Sequence, residues 1–190
     1  MTQNKADTPP QGPKQRSSRE VYRNAWMRVR EDEIEFADGS AGIYGVVEKP
    51  DFALVVPLHS DGRLQLVEQY RYTVGARFWE FPQGAQEDED TSPADMARRE
   101  LHEETGLIAG NVEHVGQLYE AYGFCDQTFH VFVATDLKQG NAKHDPQELD
   151  MRTDAFDLGT VKAMIAEGTI KDAPTVSALG LLMMSGTLYW

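Results

Sequence analysis

The run Arg99-Glu100-Leu101-His102-Glu103-Glu104-Thr105-Gly106-Leu107 is the stretch of the chain best equipped for chemistry. Glu103 and Glu104 follow Glu100 by three and four residues, offsets that set the carboxylates on one face of a helix. Left alone, such neighbours repel by roughly a few tenths of a kcal/mol per pair. A hard divalent cation removes that penalty, since magnesium takes carboxylate oxygens at about 2.0–2.1 Å. A cation held there can bridge diphosphate oxygens, neutralise developing charge and activate a water. Acidic runs are more often a solvated helix face. What favours a metal site is the order around the run: Gly84, an acidic loop from Ala85 to Thr91, a capped helix, and then the Arg-Glu-Leu-x-Glu-Glu-x-Gly-Leu block.

The elements that must hold these glutamates can be read nearby. Ser92 suits a helix N-cap, Pro93 the first helical position, and Asp95 a capping-box contact. Gly106 stands where a left-handed C-cap belongs. Upstream, Val21–Val29 and Glu31–Ala37 read as a hairpin or two short strands, and Ile43–Glu48 as a strand. Ala53–Leu58 and Leu64–Tyr70 are apolar runs joined through Asp61-Gly62, a hairpin signal. Downstream, Val112–Glu120 and Thr128–Thr135 alternate like strands, and Lys138–Asp150 is a polar loop. A helix from about Thr160 stops at Gly168, and Pro174 opens a last helix towards Met184. Antiparallel strands with interleaved helices make the class α+β.

The bulk composition narrows the function. The chain has 190 residues, 41% hydrophobic and 26% charged, as an ordinary globule does. Its formal net charge of −13 argues against nucleic acid or an anionic membrane as partner, yet suits a site that takes phosphates through cations. Cys125 is the one cysteine, so no intrachain disulfide forms, and a reducing cytoplasm fits. No signal-peptide pattern opens the chain, and the apolar stretch Val176–Met184 is too short to span a bilayer. Met1–Ser18, rich in Pro, Gln, Lys and Ser, reads as a disordered tail, and residues 19–190 as one domain whose first strands lie within 19–50.

The central segment resembles the Nudix box, G-x5-E-x7-R-E-U-x-E-E-x-G-U with U aliphatic. Arg99 to Leu107 match its last nine positions in full. The front half departs: the lone glutamate position falls on Thr91 and the glycine position on Ala85, whereas the glycine is Gly84. The loop is thus one residue longer than the pattern, and Glu89 or Asp90 would stand in for the glutamate. The resemblance implies an α/β/α sandwich with a mixed sheet and an N-terminal antiparallel strand region. It also implies magnesium, with manganese as a substitute, held by Glu100 and Glu104, with Glu103 on a further ion and the backbone carbonyl of Gln83 as another ligand. Arg99 would tie the loop to the helix.

Two flanking segments are similar to the ADP-ribose and nucleoside-diphosphate-sugar pyrophosphatase branch of that family: Gln69-Tyr70-Arg71-Tyr72 ahead of Trp79-Glu80-Phe81-Pro82-Gln83-Gly84, and Glu167 to Ala173. That branch implies a small nucleoside diphosphate derivative as substrate and a homodimer built on the N-terminal strands. Arg71 is then a candidate for a substrate phosphate, against the common surface arginine. Glu80 is an ion-pair partner or an outer ligand of the cluster, and Trp79 a candidate to stack on a base. The resemblance gives Glu148 the role of general base, with His144, Asp145 and Asp150 as competitors in the same loop. Glu103 and Glu104 complete the catalytic set. Phe-Pro-Gln-Gly at 81–84 resembles instead the RNA 5′-pyrophosphohydrolase and dinucleoside-polyphosphate branches, which stand as alternatives beside a non-catalytic nucleotide-sugar sensor.

Overall fold

A computed structural model describes residues 12–85, 91–140 and 150–188. The chain divides into two compact units, the described residues of Met1–Lys49 with Ala121–Gln127, and those of Pro50–Glu120 with Thr128–Trp190. The N-terminal strands thus group with Ala121–Gln127 in the first unit.

In the first unit β1 (Lys14–Arg23), β2 (Arg28–Glu35) and β3 (Ala41–Glu48) form an antiparallel sheet in the order β1-β2-β3. The tail expected through Ser18 thus gives way to a strand at Lys14. Every residue of β1 is exposed, so it carries no apolar alternation to read. Its ladder to β2 holds it instead, with cross-strand pairs Arg16–Glu35 at 2.5 Å and Arg19–Glu31 at 2.7 Å. Exposed pairs of this kind contribute at most about 1 kcal/mol each.

The second unit holds β4 (Phe52–Pro57), β5 (Leu64–Arg71), β6 (Ala76–Glu80), β7 (Gln83–Ala85), α1 (Pro93–Thr105), β8 (Leu107–Tyr119), β9 (Thr128–Gln139), β10 (Arg152–Phe156), α2 (Leu158–Glu167) and α3 (Ala173–Met184). One sheet runs β7-β4-β9-β8 and is mixed, with β4 parallel to β9; the other, β10-β5-β6, is antiparallel. All six residues of β4 are buried, the mark of a strand covered on both faces. Ala53 and Val55 face Met96, Ala97 and Leu101 of α1, while Leu54 and Val56 join Leu64, Leu66, Val161, Leu179 and Leu182. That is the α/β/α sandwich, α+β in class.

Two local signals had different outcomes. The Asp61-Gly62 turn forms, with Gly62 at φ 85° and its N–H donating to the His59 carbonyl at 2.9 Å. The strands it joins do not pair beyond a single Leu58–Leu64 bridge. Both β4 and β5 contribute side chains to the same core cluster, so they pack face to face in separate sheets. The helix signals hold as read. Ser92 Oγ accepts the Asp95 N–H at 3.1 Å and donates to Asp95 Oδ2 at 2.6 Å, and Gly106 closes α1 at φ 73°. Among the described residues no helix is long and apolar enough to cross a membrane.

Candidate active site

The site is built where β7 meets α1. Glu100 and Glu104 lie on the buried side of α1 with Ala97 and Leu101, and Glu104 is 1% exposed. Gly84 sits opposite, paired with Ala53 of β4. A Cβ at Gly84 would lie 2.2 Å from the Glu100 carboxyl carbon, so only glycine lets the strand approach that carboxylate. The Gln83 N–H donates to Glu104 Oε2 at 3.3 Å. Arg99 links loop and helix as expected: its Nη2 donates to the Ala85 carbonyl at 3.4 Å and to Glu100 Oε1 at 3.0 Å.

Glu103 does not join this pair. Its side chain is 36% exposed, 3.7 Å from Arg99 Nε one helical turn back. Among the described residues no three His, Cys, Asp or Glu side chains gather as a metal cluster. The offset from Glu100 brings Glu103 to the rim, while burial against β7 selects Glu100 and Glu104. The remaining donors still fit magnesium, which is held through one or two carboxylates, waters and substrate phosphates rather than by an all-protein cage. Gly84→Ala is expected to displace the Glu100 carboxylate and lower activity by about 10–100-fold, with a rise in the magnesium concentration needed for half-maximal rate. An unchanged magnesium titration would contradict this geometry.

Beside the glutamates stands an ion pair. Glu80 on β6 is 1% exposed; its Oε2 accepts Arg71 Nε at 3.1 Å, and its Oε1 accepts Gln69 Nε2 at 2.9 Å and also pairs with Arg71 Nη2. The β5–β6 ladder brings these residues onto one face, with Gln69 opposite Phe78 and Val67 opposite Glu80. Burial pushes the Glu80 carboxyl above its ordinary range, outweighing the pull of Arg71. Burial also opposes charge on Arg71, but the charge and hydrogen bond of Glu80 prevail, helped by Asp172 and Glu104, and raise its pKa. Glu80 thus takes the ion-pair arrangement, with Arg71 and Gln69 as partners.

The raised Glu80 value has a consequence for stability. An acid that holds its proton more tightly when folded contributes most below its unfolded pKa, about 4.3, and loses that contribution as pH rises through the folded value. The stability difference between wild type and Glu80→Gln is therefore expected to shift against wild type as pH rises from about 4 in urea unfolding. A difference that grows in favour of wild type as pH rises would contradict the direction.

Other expected residues fall elsewhere. The Trp79 ring packs edge-on against Phe156, centroids 4.9 Å apart, at the margin of the core. Asp150 pairs with Arg77 at 2.5 Å. Glu148, His144, Asp145, Glu89 and Asp90 lie outside the described residues. Three residues near the site went unassigned in the sequence: Gln69, Asp172 and Thr175. Asp172 and Thr175 carry a legible signal, an Asp-x-x-Thr helix cap, but nothing local ties them to β7.

Comparison with known proteins bears on the family and the fold. Residues 49–178 match the model of the NUDIX domain, and residues 14–47 that of the nucleoside diphosphate sugar hydrolase N-terminal domain. An ADP-ribose pyrophosphatase of Mycobacterium tuberculosis (strain ATCC 25618 / H37Rv) is 29% identical over 86% of this chain and 79% of its own. A methanol dehydrogenase activator of Bacillus methanolicus is 28% identical over 89% of this chain and 91% of its own. The crystal structure of an ADP compounds hydrolase superposes with a TM-score of 0.82 at 23% identity, covering 96% of this chain and 100% of its own, which establishes the shared fold.

Proposed function

The chain belongs to the NUDIX family, and from that premise we propose that it splits the pyrophosphate bond of a nucleoside diphosphate linked to a second moiety, ADP-ribose or a related nucleotide sugar, with magnesium as its metal. The observation that carries this reading is the pair of buried carboxylates, Glu100 and Glu104, facing a strand that has no side chain at Gly84. Magnesium, when bound, would supply a Lewis acid for the phosphates and would acidify a water. Glu100, Glu104 and the Gln83 carbonyl would hold it. Arg71, kept in register by Glu80, would bind a phosphate oxygen and offset charge as the bond to phosphorus breaks. Glu103, at the rim, would contribute to a further ion, and Glu148 would take the proton from the attacking water. The products are a nucleoside monophosphate and the phosphorylated second moiety.

The relatives support the choice of substrate: the M. tuberculosis protein is an ADP-ribose pyrophosphatase, and the N-terminal match is to a nucleoside diphosphate sugar hydrolase module. Net charge −13 disfavours long RNA. The test is phosphate release, coupled to a phosphatase, from ADP-ribose, ADP-glucose, GDP-mannose, dinucleoside polyphosphates and 5′-triphosphorylated RNA. ADP-ribose or another nucleotide sugar is expected to lead. Preference for the RNA would overturn the substrate class, and tight ADP-ribose binding without cleavage would make the protein a sensor. A homodimer through the N-terminal sheet belongs to the same proposal, supported by apolar side chains left exposed there, Trp26 at 70% and Ile43 at 68%. Light scattering at the mass of one chain would refute it.

A further inference from the structure

We infer that Thr175 and Asp172, at the start of α3, are positioning residues for the backbone at 81–84 that faces the proposed metal ligands; this rests on the functional reading above. The Thr175 hydroxyl is fully buried and has one polarity open to it. It accepts the Phe81 N–H at 2.9 Å, so its own proton must go to Asp172 Oδ2, 2.7 Å away. The same Asp172 oxygen accepts the Thr175 N–H at 2.9 Å and Gln83 Nε2 at 3.2 Å. A carboxylate only accepts, so the amide end of Gln83 is fixed towards it. The other end, Gln83 Oε1, is buried without a partner among the described residues. Gln83 also gives its backbone N–H to Glu104 Oε2 at 3.3 Å, and the Pro82 carbonyl accepts the Val55 N–H at 3.0 Å. The segment is therefore pinned by α3 on one side and by Glu104 and β4 on the other.

Capping alone does not explain this arrangement, because the chain contains a control. At α2, Asp157 and Thr160 form the same box, with Asp157 accepting the Thr160 N–H and hydroxyl, both at 2.9 Å. That box is exposed and bonds only within its own helix end. The box at α3 is turned inward and reaches residues roughly ninety positions away, 94 from Thr175 to Phe81 and 89 from Asp172 to Gln83. Asp172 also acts electrostatically on both Arg71 and Glu80.

The test is manganese binding to the full chain by electron paramagnetic resonance, with thermal midpoints measured in parallel. Thr175→Val is expected to weaken binding by about ten-fold or more, and Thr175→Ser to stay within about two-fold of wild type. Thr160→Val at α2 is expected to lower the thermal midpoint while binding manganese as wild type does. Wild-type affinity in Thr175→Val, or equal weakening in Thr160→Val, overturns the inference. Should Thr175→Val fail to fold, Gln83→Leu decides: it removes the side-chain arm alone and is expected to weaken manganese by about ten-fold, while unchanged affinity overturns the inference. A wild type that binds no manganese defeats the metal reading itself and this inference with it.

Discussion

Glu104→Gln is expected to lower kcat by on the order of 10^3-fold while the protein stays folded. A metal-held charge contributes several kcal/mol to the transition state, and about 4 kcal/mol corresponds to that factor. The amide keeps the shape of the side chain and an oxygen for the Gln83 N–H, but not the charge that binds a cation. Stability is expected to move the other way. Glu104 is 1% exposed, and a buried carboxylate is costly when no cation is bound. In chelator the variant is therefore expected to melt at or above the wild-type midpoint. Magnesium with a substrate analogue is expected to raise the midpoint of wild type far more than that of the variant, because a ligand stabilises only the state that binds it. Steady-state kinetics and melts in both conditions check this. A variant that is active, or one inactive because it is unfolded, would count against the metal role.

Arg71→Ala carries the second large effect, on stability and substrate affinity together. It leaves Glu80 buried without its cationic partner, with the amide side chains of Gln69 and Gln83 as donors. Breaking a fully buried pair costs about 3–5 kcal/mol, and the 41% exposure of the Arg71 side chain lowers the expectation to about 2–3 kcal/mol. Loss of a guanidinium that holds phosphate is expected to raise KM by about ten-fold or more. Lysine should restore little, since it lacks the two-pronged geometry seen on Glu80. The double variant Arg71→Ala with Glu80→Gln separates the effects: it removes the stranded charge, so stability is expected to return in part while KM stays high. Recovery of both would show that Arg71 acts through the fold alone.

How much of this the sequence disclosed depends on how local each signal is. α1 was legible from end to end, because Ser92, Pro93, Asp95 and Gly106 act on their own helix and the glutamate spacing follows from its pitch. Which glutamates are buried against β7 was legible only in part. Helix spacing treats Glu103 and Glu104 as near equals, and the distinction comes from β7, where Gly84 admits Glu100 and the Gln83 N–H meets Glu104. The Arg71–Glu80 pair is nine residues apart and depends on the β5–β6 register, which no local motif fixes. The contact of Trp79 with Phe156, 77 residues on, is likewise long-range, and no local motif announces it. β1 escaped because an exposed strand held by charge pairs looks like a polar tail. β4 and β5 were legible as strands but not their partners, because an Asp-Gly turn fixes the reversal of the chain but not the sheet each arm joins.

The most direct test of the central claim is hydrolysis of ADP-ribose in 18O-labelled water, with and without magnesium, followed by mass analysis of the products. AMP and ribose 5-phosphate are expected, one of the two carrying the label, only with the metal and at a rate cut by roughly three orders of magnitude in Glu104→Gln. Release of ADP and free ribose, turnover in chelator, or a Glu104→Gln variant as fast as wild type would contradict metal-dependent attack on the pyrophosphate.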